Sequence, residues 1–125
     1  MTTNIDRTAE LVLNANSEAR QTLKVIANRW VSIILCALGD GPKRYSQLDG
    51  MIEGLSQRML TRTLKELERN GIVERVVYST RPPNVEYALT SLGETLYEPL
   101  HALCAWAEAH MDEVKQARIK FADQP

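Results

Sequence analysis

Apolar positions along this chain change their spacing in an order that predicts the architecture. Between residues 8 and 27 they stand at Leu11, Leu13, Ala15, Ala19, Leu23, Ile26 and Ala27, and the 19, 23, 26 spacing is that of a helix. Arg29 to Leu38 is almost continuously apolar (WVSIILCAL) and reads as a short buried helix, although its Val and Ile content also suits a buried strand. Gly39-Asp40-Gly41-Pro42 stops it. Tyr45 to Met51 has Leu48 three to four residues from Met51 and Ile52, which predicts a two-turn helix. Glu53-Gly54-Leu55 turns the chain. Ser56 then caps SQRMLTRTLKELERN, the clearest helix in the sequence, and Gly71 ends it.

Period-two segments follow. Ile72 to Ser79 (IVERVVYS) is rich in β-branched residues, and Val85 to Leu89 alternates. Thr80-Arg81-Pro82-Pro83-Asn84 between them excludes helix and suits a hairpin tip. Thr90-Ser91 caps a last helix running to about Gln116, with Pro99 inside it as an expected kink. The order of three helices, turn, helix, strand, strand, helix predicts an α+β, mostly α chain. It is the order of a winged helix-turn-helix with N- and C-terminal dimerisation helices. Residues 1–15 read as an N-terminal extension, 16–110 as the winged domain, and 111–125 as a tail continuing the last helix.

The helix from Ser56 carries the chemistry. Leu60, Leu64 and Leu67 make a core stripe at i, i+4, i+7. Arg58, Arg62, Lys65 and Arg69 make a second stripe, offset by two residues and therefore about 200° away. Glu66 and Glu68 are spaced to pair with these cations, so a solvated surface stripe is the competing reading. Polar Ser56, Gln57 and Thr61 cluster at the end from which such helices read bases in the major groove. Arg forks to guanine, Gln to adenine, and the Thr methyl suits thymine. Candidate base readers are thus Ser56, Gln57, Arg58, Thr61 and Arg62. Candidate backbone contacts are Lys43, Arg44 and Ser46 at the preceding helix, Lys65 and Arg69 farther along, and Arg81 at the hairpin tip.

The chain has 125 residues, enough for one domain, and 44% hydrophobic content. Its net charge of −1 conceals a segregation. Residues 43–81 hold eight basic and five acidic side chains, whereas 84–113 hold six acidic ones and no Lys or Arg. No apolar run is long enough to span a membrane and the N-terminus does not resemble a secretion signal, so no membrane partner and a cytoplasmic location are expected. Cys36 and Cys104 lie in apolar runs and read as buried, reduced thiols, with a redox role open. No nucleophile elbow, phosphate loop, HExxH or Cys/His ligand set occurs, so no enzyme activity, catalytic residue, metal or cofactor is expected.

Three segments, NRWVSIILCALGDGPKRYSQL, GLSQRMLTRTLKELERNGIVERVVY and PPNVEYALTSLGETL, together resemble the HxlR-type winged helix-turn-helix regulators over residues 17–110. The resemblance implies a homodimer built from the first and last helices, binding near-palindromic double-stranded DNA to regulate transcription. It also implies thiol sensing in several members, but the position of the usual N-terminal cysteine is Ser17 here. Asn84 stands where a basic wing residue is common. Leu11 with Leu96, Leu100, Leu103 and Trp106 offers apolar surface for the pairing, which would set two recognition helices roughly 34 Å apart. An unidentified small-molecule effector stays open, with the region near Trp30 and Trp106 as its place. The competing function is a winged-helix protein–protein interaction module that does not bind DNA.

Overall fold

The computed structural model describes residues 7–125, apart from the side chains of Thr8 and Leu11. The chain forms α1 (Arg7–Leu13), α2 (Glu18–Ile26), α3 (Arg29–Leu38), α4 (Tyr45–Met51), α5 (Gln57–Arg69), β1 (Val73–Thr80), β2 (Pro83–Leu89) and α6 (Ser91–Ala122). Five helices thus precede, and one follows, a two-stranded antiparallel hairpin, the wing.

The single helix expected over residues 8–27 is two. Asn14 Oδ1 accepts from Asn16 N at 2.9 Å, and Ser17 Oγ accepts from Arg20 N at 3.0 Å. These short polar side chains satisfy backbone donors that a continuous helix would have used, and a new helix starts at Ser17. Helix α3 is a helix and not a strand, and it meets α2 at a 68° bend. Asn28 caps it by accepting from Trp30 N at 2.8 Å.

The core is assembled from matching stripes. Helix α3 contributes Val31, Ile34, Leu35 and Leu38 at i, i+3, i+4, i+7, and α5 contributes Leu60, Leu64 and Leu67 with Thr63 on the same face. Leu48 and Ile52 from α4, Leu55, Ile72, Val73 and Leu100 complete it. Burying each such side chain stabilises the fold by about 1.5–3 kcal/mol relative to exposure.

Helix α5 ends at Arg69 and the chain turns away at Gly71, whose φ of +74° only glycine adopts cheaply. Ile72 N donates to Leu67 O at 2.9 Å and Gly71 N to Glu68 O at 3.0 Å, satisfying the last carbonyls. The chain enters β1 directly from this turn, so the wing's position is fixed by the end of α5. The hairpin pairs Val73 with Leu89 through to Thr80 with Pro83, with a bulge between Val77 and Ser79. Pro83 belongs to β2, and the tip is only Arg81-Pro82. Lys43 adds a further bridge on the other edge of β2, exchanging hydrogen bonds of 2.9 and 2.8 Å with Tyr87. That bridge anchors the segment between α3 and α4 to the wing.

Helix α6 runs to Ala122, past the expected end near Gln116, and continues through Pro99. Among the described residues, no single helix is long and apolar enough to cross a membrane.

Candidate nucleic-acid interface

Helices α4 and α5 form a helix-turn-helix pair, closed through the Gly54 turn (φ +80°). Ser56 Oγ accepts from Met59 N at 3.1 Å, so this hydroxyl caps α5 and sits at its exposed start. Arg58, Arg62, Lys65 and Arg69 are all exposed on the face opposite Leu60, Leu64 and Leu67. Arg69 alone in that row is engaged, with the Glu66 carboxylate. Arg58, Arg62 and Lys65 have no acidic partner among the described residues.

Gln57 and Thr61, two candidate base readers beside the stripe, are held by α4. Tyr45 Oη lies 2.9 Å from both Gln57 O and Thr61 Oγ1. The phenol has one proton, which goes to the carbonyl, so the Thr61 hydroxyl donates to Tyr45. Thr61 is left with its methyl for outward contact. Gln57 Nε2 donates to Asp49 Oδ2 at 3.2 Å, so its amide is oriented across the turn. Tyr45 and Asp49 escaped notice in the sequence, because their partners lie eight to sixteen residues away on another helix.

The candidate backbone contacts are spread more widely. Arg44 and Ser46 are exposed at the start of α4, where Gln47 Oε1 accepts from Arg44 N at 2.8 Å. Lys43 Nζ instead pairs with Asp40 Oδ1 at 2.6 Å and donates to Gly41 O at 3.2 Å. That hydrogen bond and the ammonium charge hold the Asp40 carboxyl below the usual carboxylate range. Arg81 is exposed at the wing tip, while the amide oxygen of Asn84 is buried. Lys24 of α2 joins Arg62 and Asn28 along a hollow of about 460 Å³ between α2 and α5. Nothing in the sequence placed Lys24 there, because α2 and α5 are far apart in the chain.

The HxlR-like helix-turn-helix family profile matches residues 25–115, which is most of the chain. This chain belongs to the HxlR-like helix-turn-helix family. An uncharacterized HTH-type transcriptional regulator of Bacillus subtilis, YtcD, is 42% identical over 99 residues, 79% of each chain. The solved structure of the putative transcriptional regulator ytfH from Salmonella typhimurium superposes with a TM-score of 0.78 at 39% identity. It covers 85% of this chain and 95% of its own. A structure described as the redoxregulator HypR in its reduced form gives 0.73 at 39% identity, covering 80% and 99%. The winged helix-turn-helix fold is therefore shared with both solved structures over most of this chain.

Other residues of this HxlR-like chain sit differently from expectation. Leu100 is 7% exposed and lies in the chain's own core, with Leu96 packed against it, so neither is a free apolar surface. Leu103 and Trp106 are exposed, and Leu11's side chain lies outside the described ones. Trp30 and Trp106 do not share a pocket. Trp30 is half-buried beside Gly54, with Arg29 over its ring at 4.7 Å, whereas Trp106 stacks on His110 out on α6. The hollow between α2 and α6 is about 350 Å³ and is lined by Ile26, Asn70, Ile72, Leu92 and Leu96. Cys104 is exposed and not buried.

Proposed function

We propose that this chain is a DNA-binding transcriptional regulator that grips near-palindromic operator DNA as a homodimer. In this reading α5 enters the major groove and the wing lies alongside. The supporting observation is the row of Arg58, Arg62 and Lys65, exposed, without an acidic partner among the described residues and anchored from behind by a leucine face. A protein-binding wing has no need of such a row, and the relatives reported above are described as transcriptional regulators.

Roles follow from position along α5. Arg58 and Arg62 stand in its first half and are assigned to guanine edges, with Ser56, Gln57 and the Thr61 methyl beside them. Lys65 and Arg69, farther from the N-terminus, are assigned to phosphates, together with Lys43, Arg44 and Ser46 below and Arg81 at the wing tip.

The test is anisotropy titration of an operator selected from random duplexes, over a series of salt concentrations. Affinity should fall steeply with salt, and Arg62→Ala should cost about 1–3 kcal/mol on the operator with relaxed sequence preference. Lys65→Ala should weaken all duplexes alike and flatten the salt slope by about one. Little binding at low salt would favour the protein-interaction reading, and full discrimination by Arg62→Ala would refute the assigned reading face.

A further inference from the structure

Two thiols 68 positions apart in the chain meet where α3 packs on α6: Cys36 Sγ lies 3.9 Å from Cys104 Sγ. Both are free, and neither belongs to the cationic surface. A disulfide requires about 2.05 Å between sulfurs, so the pair has roughly 1.9 Å to close, within reach of a side-chain rotation and a small helix adjustment. We propose that Cys36 and Cys104 form a dithiol site that a hydroperoxide converts to an intrachain disulfide, fastening α3 to α6.

The two sulfurs have unequal surroundings, and this sets the order of events. Cys104 is exposed, whereas Cys36 is half-buried. Burial, with the hydrogen bond to Cys104 adding to it, pushes the Cys36 thiol above its ordinary range. Cys104 therefore meets the oxidant first. Its thiolate attacks one peroxide oxygen, the O–O bond breaks, and a sulfenic acid forms as hydroxide leaves and is protonated to water. Cys36 then gives up its proton, and its sulfur attacks the Cys104 sulfur. The S–O bond breaks and a second water departs, leaving the S–S bond. Two thiols have lost two electrons and two protons, and one hydrogen peroxide has become two waters.

The experiment uses the reduced full-length chain, hydrogen peroxide, and mapping without reduction. The expected product is one peptide pair joining Cys36 to Cys104, at monomer mobility on a non-reducing gel, with intact mass lower by two hydrogens. Its thermal midpoint should lie about 10 °C above the reduced protein's and return on reduction, because the closed loop is long. Cys36→Ser should leave a sulfenic acid on Cys104 that a dimedone probe captures. Cys104→Ser, an exposed change that leaves the core intact, should abolish the link. Unreacted thiols under excess peroxide, oxidation of Cys104 without linkage, or a Cys104-to-Cys104 link between two copies would each overturn the proposal.

Discussion

Tyr45 shows how a single hydroxyl sorts the groups on α5 into those that point outward freely and those that do not. Its proton serves the Gln57 carbonyl, its lone pair takes the Thr61 hydroxyl, and Asp49 orients the Gln57 amide. What remains without an acidic partner among the described residues is the row Arg58, Arg62 and Lys65. That row was legible in the sequence because helical periodicity alone separates it from the leucines. The restraint of Gln57 and Thr61 was not, since it depends on how α4 docks. Lys43 shows the same limit, because its pairing with Asp40 is a local accident of the Gly39–Pro42 turn. The Asp40 charge sits beside an ammonium assigned to phosphate, so Asp40→Asn should free that cation. Non-specific duplex affinity should then rise by a few-fold and the salt slope should steepen by up to about one, as read by anisotropy. An unchanged slope would remove Lys43 from the DNA surface.

At the scale of elements, α5, β1 and α6 meet in a close junction. Thr90 Oγ1 caps α6 by accepting from Gly93 N at 3.0 Å, and it donates back towards Gly71 O at 2.5 Å. Gly93 lets α6 start against the backbone of Ile72: a Cβ there would stand 2.1 Å from the Ile72 carbonyl oxygen. That neighbour is backbone and cannot swing aside. Gly93→Ala should therefore destabilise the fold by about 1–3 kcal/mol despite the better helix propensity of alanine, and urea denaturation measures it. A neutral or stabilising result would mean that α6 shifts freely. Element identity was readable wherever a cap, a period and a breaker agreed, as from Ser56 to Gly71. It failed at Asn14–Ser17, where apolar positions continue on both sides of a polar interruption. It also failed at Lys43, where a one-residue bridge to Tyr87 has no period to detect. Helix α6 was underestimated because its last turns are charged, and only Ile119 and Phe121 mark their course.

Across the whole molecule, charge and apolar surface divide the labour. Eight of the fifteen Lys and Arg residues lie between 43 and 81, on α5 and the segments that flank it, while residues 84–113 are acidic and face a phosphate backbone poorly. Exposed Leu13, Leu23, Leu103 and Trp106 lie on the N-terminal helices and α6. That distribution fits pairing of two copies through the exposed apolar positions of these helices. Leu103→Glu combined with Trp106→Glu should give a monomer by sedimentation with unchanged helical content. Operator affinity should fall at least about 100-fold, because the second half-site is no longer tethered. A dimer that survives both changes would move the interface elsewhere. The competence of this surface was only partly visible beforehand, since one stripe on α6 serves the core at Leu96 and Leu100 before it emerges at Leu103.

The grip of Thr90 on Gly71 makes α6 a rod hinged at the root of α5. A rod of 32 residues is about 48 Å long. Tilting it by about 5° at the hinge displaces the far end by roughly 4 Å, a distance comparable to one base-pair step. In the proposed homodimer, whatever fixes the distal half of that rod would therefore set how far apart two copies hold their α5 helices, and so which operator spacings they tolerate.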